Sequence, residues 1–234
     1  MSIDNIVIVS GYWKVPNKHS HQKYDQWFHN SLKINQLMYF FCENQETEDY
    51  IKPFRGDLPT IYIHYPMSQF KSNEYYQPHW VNPVHVPSVE LGKIWHEKIH
   101  LMKYVKDNYP TVEFYIWCDA GACVYRDRPP PAVRLNLKNV DTLPHNQFCY
   151  SDPLNMNSYH NFSGTVYIIH RNMIDRFHQL FLDYVDVCHE TYNDWRCGSD
   201  QVVFTEMMKD RPELFFKLAE GYGANLSALY DSHV

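Results

Sequence analysis

Short apolar runs recur along the chain, and polar stretches of helical character separate them. Residues 6–10, Met38–Cys42 and Thr60–His64 are dense in β-branched and aromatic side chains, the pattern of strands buried on both faces. Residues 24–34, and a polar piece around 46–51, read as helices between them. This alternation predicts the α/β class, a single domain with a mostly parallel, Rossmann-like central sheet and helices on both faces. Prolines at 66, 78, 83 and 87 make 65–88 a long loop, and such loops in compact domains are usually functional. Ser88 and Glu90 then open a helix to about 107. Its apolar positions Leu91, Trp95, Ile99, Met102 and Val105 recur every three or four residues, a stripe aimed at the core. Pro110 ends that helix, and a strand follows from Glu113 to Cys118. Pro129-Pro130-Pro131 marks a break. Later strands are expected at 147–150 and 164–169, a long helix at 172–191, and a last helix from Ser199-Asp200, with Ser199 as N-cap.

Composition narrows the function classes. The chain has 234 residues, 44% of them hydrophobic and 16% aromatic, which suits a globular protein with a large core. A formal charge of −6 argues against broad nucleic-acid binding and suits a site that recruits a divalent metal. No basic n-region and no apolar run of membrane length is present, so a cytoplasmic location without a transmembrane segment is expected. Six cysteines lack CxxC spacing and read as free thiols. The acceptor-like triplets at Asn161 and Asn225 read as chance matches.

The strand 113–118 stops at Asp119, and only the small residues Ala120, Gly121 and Ala122 follow. Ligands in open α/β sheets sit beyond the carboxyl ends of strands, so Asp119 is the first candidate for chemistry. A divalent cation that neutralises a leaving diphosphate wants such a carboxylate. Lys93 on the preceding helix could reach a diphosphate as a point charge. Asp200, at a helix start, could orient an acceptor hydroxyl. Gly164, at a strand mouth, permits close approach of a substrate. The loop Gly11-Tyr12-Trp13 offers an aromatic ring to a nucleoside base.

Taken in order, these pieces resemble the bacterial HtrL/YibB (WlaTC-like) proteins, which are of the GT-A type of glycosyltransferases. The matching parts are the first strand with its aromatic loop (6–13), the Lys-bearing helix (93–105), Trp117-Cys118-Asp119-Ala120-Gly121, Ser163-Gly164-Thr165 and Gly198-Ser199-Asp200-Gln201. The resemblance implies a GT-A-like domain, its nucleotide-binding part over about 1–128 and its acceptor part over about 129–234. The implied activity is transfer of a sugar from a nucleotide-diphosphate sugar, a UDP-sugar foremost, to a glycan or other acceptor hydroxyl. Asp119 and Asp200 would be catalytic. Gly11, Tyr12, Lys93, Asp119, Gly121 and Gly164 would hold the donor, and Mn2+ or Mg2+ would sit at Asp119. The usual GT-A corner is Asp-x-Asp, whereas Gly121 stands in second place here. A cation would then need another ligand, such as Asp127 or the C-terminal His233. The single acid also keeps open a degenerate transferase-like domain that only binds glycans or partner proteins.

His96-Glu97-Lys98-Ile99-His100 is a literal H-E-x-x-H on a helix, the zinc-peptidase pattern. Lys98 between the ligands and the lack of an obvious third ligand, beyond a guess at Glu190, make this the weaker expectation. With 14 histidines in the chain, a chance match explains it more simply.

Overall fold

The computed structural model describes residues 5–109, 112–154 and 156–230. Seven strands form one sheet: β1 (Ile6–Tyr12), β2 (Met38–Cys42), β3 (Thr60–His64), β4 (Phe114–Cys118), β5 (Phe148–Asp152), β6 (Val166–His170) and β7 (Phe215–Glu220). Their order across the sheet is β3-β2-β1-β4-β6-β5-β7. Only β6 runs against the rest, antiparallel to both β4 and β5. The central strands β2, β4 and β6 are buried at every residue, as expected where both faces are covered. The edge strands β3 and β7 are partly exposed.

Side chains alternate across each strand, so one sheet feeds two cores. Val7, Val9, Tyr115 and Trp117 pack on one face against α3 (Val89–Asn108), α5 (Arg171–Thr191) and α6 (Asp200–Asp210). Ile6, Ile8, Phe114 and Ile116 pack on the other. There they meet α1 (His21–Ser31), α2 (Gln45–Arg55), α4 (Leu137–Asp141) and α7 (Ala224–Ser227). Helices therefore cover both faces of a mostly parallel sheet. Among the described residues no helix is long and apolar enough to cross a membrane, and all six cysteines are free.

Three expectations need correction. Gly11 and Tyr12 do not form a loop: they extend β1, paired with Phe41 and Cys42 of β2. The segment 65–88 holds two short 3-10 turns and is anchored by the buried Phe70, Tyr76, Trp80 and Val86. Strand β7 and the short helices α4 and α7 were not anticipated. Pro110, the expected stop of α3, lies outside the described residues. Ser88 does cap that helix, its hydroxyl accepting from the Leu91 N–H at 3.1 Å.

Candidate active site

The carboxyl ends of β1 and β4 lie side by side, because these strands pair in parallel with Val9 beside Trp117. Strand β6 pairs antiparallel with β4, Cys118 facing Val166, so its beginning meets the end of β4. The Asp119 N–H continues that ladder to the Thr165 carbonyl at 2.8 Å. Gly11, Tyr12, Asp119, Gly121 and Thr165 consequently gather at one mouth, lining a cavity of about 320 Å3.

Helix α3 closes one side. Leu91, Ile94, Trp95 and Lys98 line the cavity, at spacings that put them on one helical face. Lys93 is not among the lining residues. It stands about 140° around the helix from Lys98, given 3.6 residues per turn. The lysine that reaches the corner is thus Lys98, and the expected role of Lys93 near the phosphates is not supported by its position.

Lys98 is the centre of the site. Its side chain is 3% exposed, and its ammonium lies 3.2 Å from Asp119 Oδ1 and 3.0 Å from Asp200 Oδ2. It also donates to the Gly164 carbonyl at 2.9 Å. Two ion pairs and one hydrogen bond therefore hold the ammonium. Burial alone would pull its pKa down, but the carboxylates of Asp119 and Asp200 outweigh that and hold it above the ordinary lysine value. Asp200, buried behind it, is itself pushed up, mainly by desolvation and against the pull of Lys98.

Asp119 faces both ways. Trp117, two residues earlier and on the same face of the strand, donates its indole N–H to Asp119 Oδ1 at 2.7 Å. Oδ1 is shared between Trp117 and Lys98, while the side chain stays 31% exposed at the cavity. Asp200 differs: its side chain is 1% exposed and does not line the cavity, although its neighbour Gln201 does. Its place at a helix start, read as bringing it to an acceptor, does not bring it to the cavity wall; it meets the site through its ion pair with Lys98. Gly164 likewise acts by making room. A Cβ there would stand 2.7 Å from Gln201 Cγ and 3.2 Å from Asp200 Oδ2, so only glycine lets α6 approach β6 this closely.

Asp127 is exposed and does not line the cavity, and His233 lies outside the described residues. Among the described residues Asp119 is the only carboxylate lining the cavity, and no group of three or more His, Cys, Asp or Glu could hold a metal. Among the described residues this donor set is too sparse for a protein-held Mn2+ or Mg2+.

The H-E-x-x-H segment is absorbed by structure. His96 is fully buried among the rings of Tyr75, Tyr76, Trp80 and Phe181, and burial lowers its pKa to about 3. Glu97 accepts the backbone N–H groups of Lys71 and Ser72, both at 2.9 Å, and so fastens a 3-10 turn. His100 pairs with His178 at 2.8 Å and with the Tyr75 hydroxyl at 3.3 Å. Glu190 is exposed. These side chains hold α3 to its surroundings, and the zinc-peptidase expectation is withdrawn.

Lys98, Trp117, Lys18 and Arg126 escaped the sequence reading as site residues. For Lys98 a signal was present, since the stripe Leu91–Trp95 continues to position 98 at the same helical spacing.

No protein-family model matches the chain, and no curated protein matches it. Solved structures do. The crystal structure of mouse xyloside xylosyltransferase 1, apo form, aligns with a TM-score of 0.59 at 11% identity, over 90% of this chain and 84% of that one. The apo form of the glycosyltransferase GlyE of Streptococcus pneumoniae TIGR4 aligns at 0.50 and 14% identity, over 91% of this chain but only 44% of GlyE. At such identities the likeness is one of fold, and the fold is that of GT-A glycosyltransferases.

Proposed function

We propose that the protein transfers a sugar from a nucleotide-diphosphate sugar, a UDP-sugar foremost, to the hydroxyl of a glycan or similar acceptor. One observation carries this reading: at the carboxyl mouth of a GT-A-type sheet, a buried ammonium holds an exposed carboxylate, Asp119, at the wall of a ligand-sized cavity. The resemblance of the motif order to the HtrL/YibB proteins points the same way. A second cavity of about 380 Å3 shares Lys18, Trp95, His160 and Gln201 with the first, which leaves room for an acceptor beside the donor.

In this arrangement Asp119 accepts a hydrogen bond from a donor hydroxyl and sets the position of the sugar. Lys98 keeps Asp119 oriented, and Asp200 keeps Lys98 in place. The acceptor oxygen bonds to the anomeric carbon as the bond to the diphosphate breaks, releasing nucleoside diphosphate and a proton. Cationic side chains near the diphosphate stabilise the charge that develops on it.

Donor hydrolysis, followed as nucleoside diphosphate release from UDP-, GDP- and dTDP-sugars, tests the reading. Wild type should release diphosphate from one of them, and Asp119→Asn should lower that rate by about a hundredfold. Equal background rates for both proteins would favour the binding-only domain instead.

A further inference from the structure

Resting on the donor reading above, we propose that this site holds the donor diphosphate without a metal, through Arg126 and Lys18. Position 121 is where the usual GT-A corner carries its second acid. Here a Cβ at Gly121 would stand a tight 3.3 Å from Trp27 Cε3 and 3.5 Å, ordinary contact, from Tyr24 Cδ1. The Gly121 carbonyl accepts the Arg126 Nε–H at 3.0 Å. The guanidinium carbon lies 3.6 Å from the centroid of the Trp27 ring. Backbone bond and ring stack together fix the plane of the guanidinium against the corner, as the second acid would otherwise be placed. Its two terminal nitrogens have no partner among the described residues, and Arg126 lines the cavity. A planar fork of N–H donors matches the oxygens of a phosphate.

Lys18 stands across the same cavity, on the loop between β1 and α1, its ammonium 5.3 Å from the Trp95 ring centroid. It makes no ion pair with any described residue. The lining cations Lys18, Lys98 and Arg126 face Asp119 and the buried Asp200, a net charge of +1 with histidines neutral. That sign attracts a diphosphate with no added cation. By contrast, Asp119 alone offers a metal too few ligands, and one of its oxygens is already shared by Trp117 and Lys98.

Calorimetric titration with UDP, GDP, CDP and dTDP, once in EDTA and once in manganese, tests the proposal on the full chain. The nucleotide that binds should do so in EDTA with an affinity within about twofold of that in manganese. Arg126→Ala should weaken it about ten- to a hundredfold in both buffers, the range expected for hydrogen bonds to a charged group. Arg126→Lys, which keeps the charge but not the fork, should recover part of the loss. Lys18→Ala, at an exposed position, should weaken binding by about tenfold in both buffers. Binding seen only in manganese, or left unchanged by both Arg126→Ala and Lys18→Ala, would overturn the metal-free clamp while leaving the donor reading intact. No binding of any of the four in either buffer sinks the donor reading, and the clamp with it.

Discussion

Lys98 shows how one side chain changes meaning between sequence and structure. In the sequence it is the residue that spoils a zinc motif, and in the fold it joins α3, β4, β6 and α6 at one point. A buried ion pair is weak evidence for stability in itself, because desolvation opposes the attraction. Removing one partner is another matter. Lys98→Met should cost about 3–5 kcal/mol in urea denaturation, since Asp200 would be left charged and unpaired in the interior. Adding Asp200→Asn in that background should recover part of the loss. If Lys98→Met melts like wild type, or the second change makes matters worse, the coupling described here does not exist. His96 and Glu97 give the opposite lesson, two residues with catalytic spacing that serve an aromatic cluster and a 3-10 turn.

At the scale of elements, the site depends on how closely α6 and the start of β6 approach. Gly164 is the point of contact, with Gln201 and Asp200 pressed against it. Gly164→Ala forces a shift in α6 that costs about 1–3 kcal/mol by overpacking. It also displaces Asp200, and through it Lys98 and Asp119. Donor hydrolysis should fall by about tenfold or more, because displacements near 1 Å at a reacting centre carry losses of that size. A rate within about twofold of wild type would show that this approach does not position the corner. Helix α3 contributes through its periodicity, which turns Leu91, Trp95 and Lys98 to the cavity and Ile99, Met102 and Val105 to the core. Its cap has a second use, since the Ser88 hydroxyl also donates to the Pro16 carbonyl at 3.0 Å and ties down the loop that carries Lys18.

The whole molecule should lose stability in acid. His96 and His100 are buried and neutral, with pKa values lowered to about 3, His96 by burial and His100 by burial with His178 beside it. A histidine whose folded pKa is depressed contributes stability that is present above its unfolded value near 6.5 and is lost as pH falls toward the folded one. Each should therefore add about 1.4 kcal/mol per pH unit to the decline between pH 6.5 and about 3. Denaturation measured across that range should show the decline, and His96→Phe, which suits the aromatic surroundings, should make it shallower. An equal slope in the variant would locate the acid sensitivity elsewhere. Much of the architecture was legible beforehand. Strands β2 and β3 fall at the bounds their apolar runs predict, and α5 begins one residue before its predicted start. Strand β7 was not legible, because most of its residues are exposed or half-buried and its apolar run is short and interrupted by Lys217. Of the residues the sequence singled out, Asp119, Gly11, Tyr12 and Gly121 line the cavity, whereas Lys93, Gly164 and Asp200 do not. The sequence by itself determined most of the helices and strands and that Asp119 ends one of them, because side-chain periodicity is a local property. Only the tertiary structure decided that Lys98, Asp119, Gly164 and Asp200 meet, and that Arg126 backs onto Gly121. Ion pairing and burial depend on distances across the fold, and no local pattern of residues carries them.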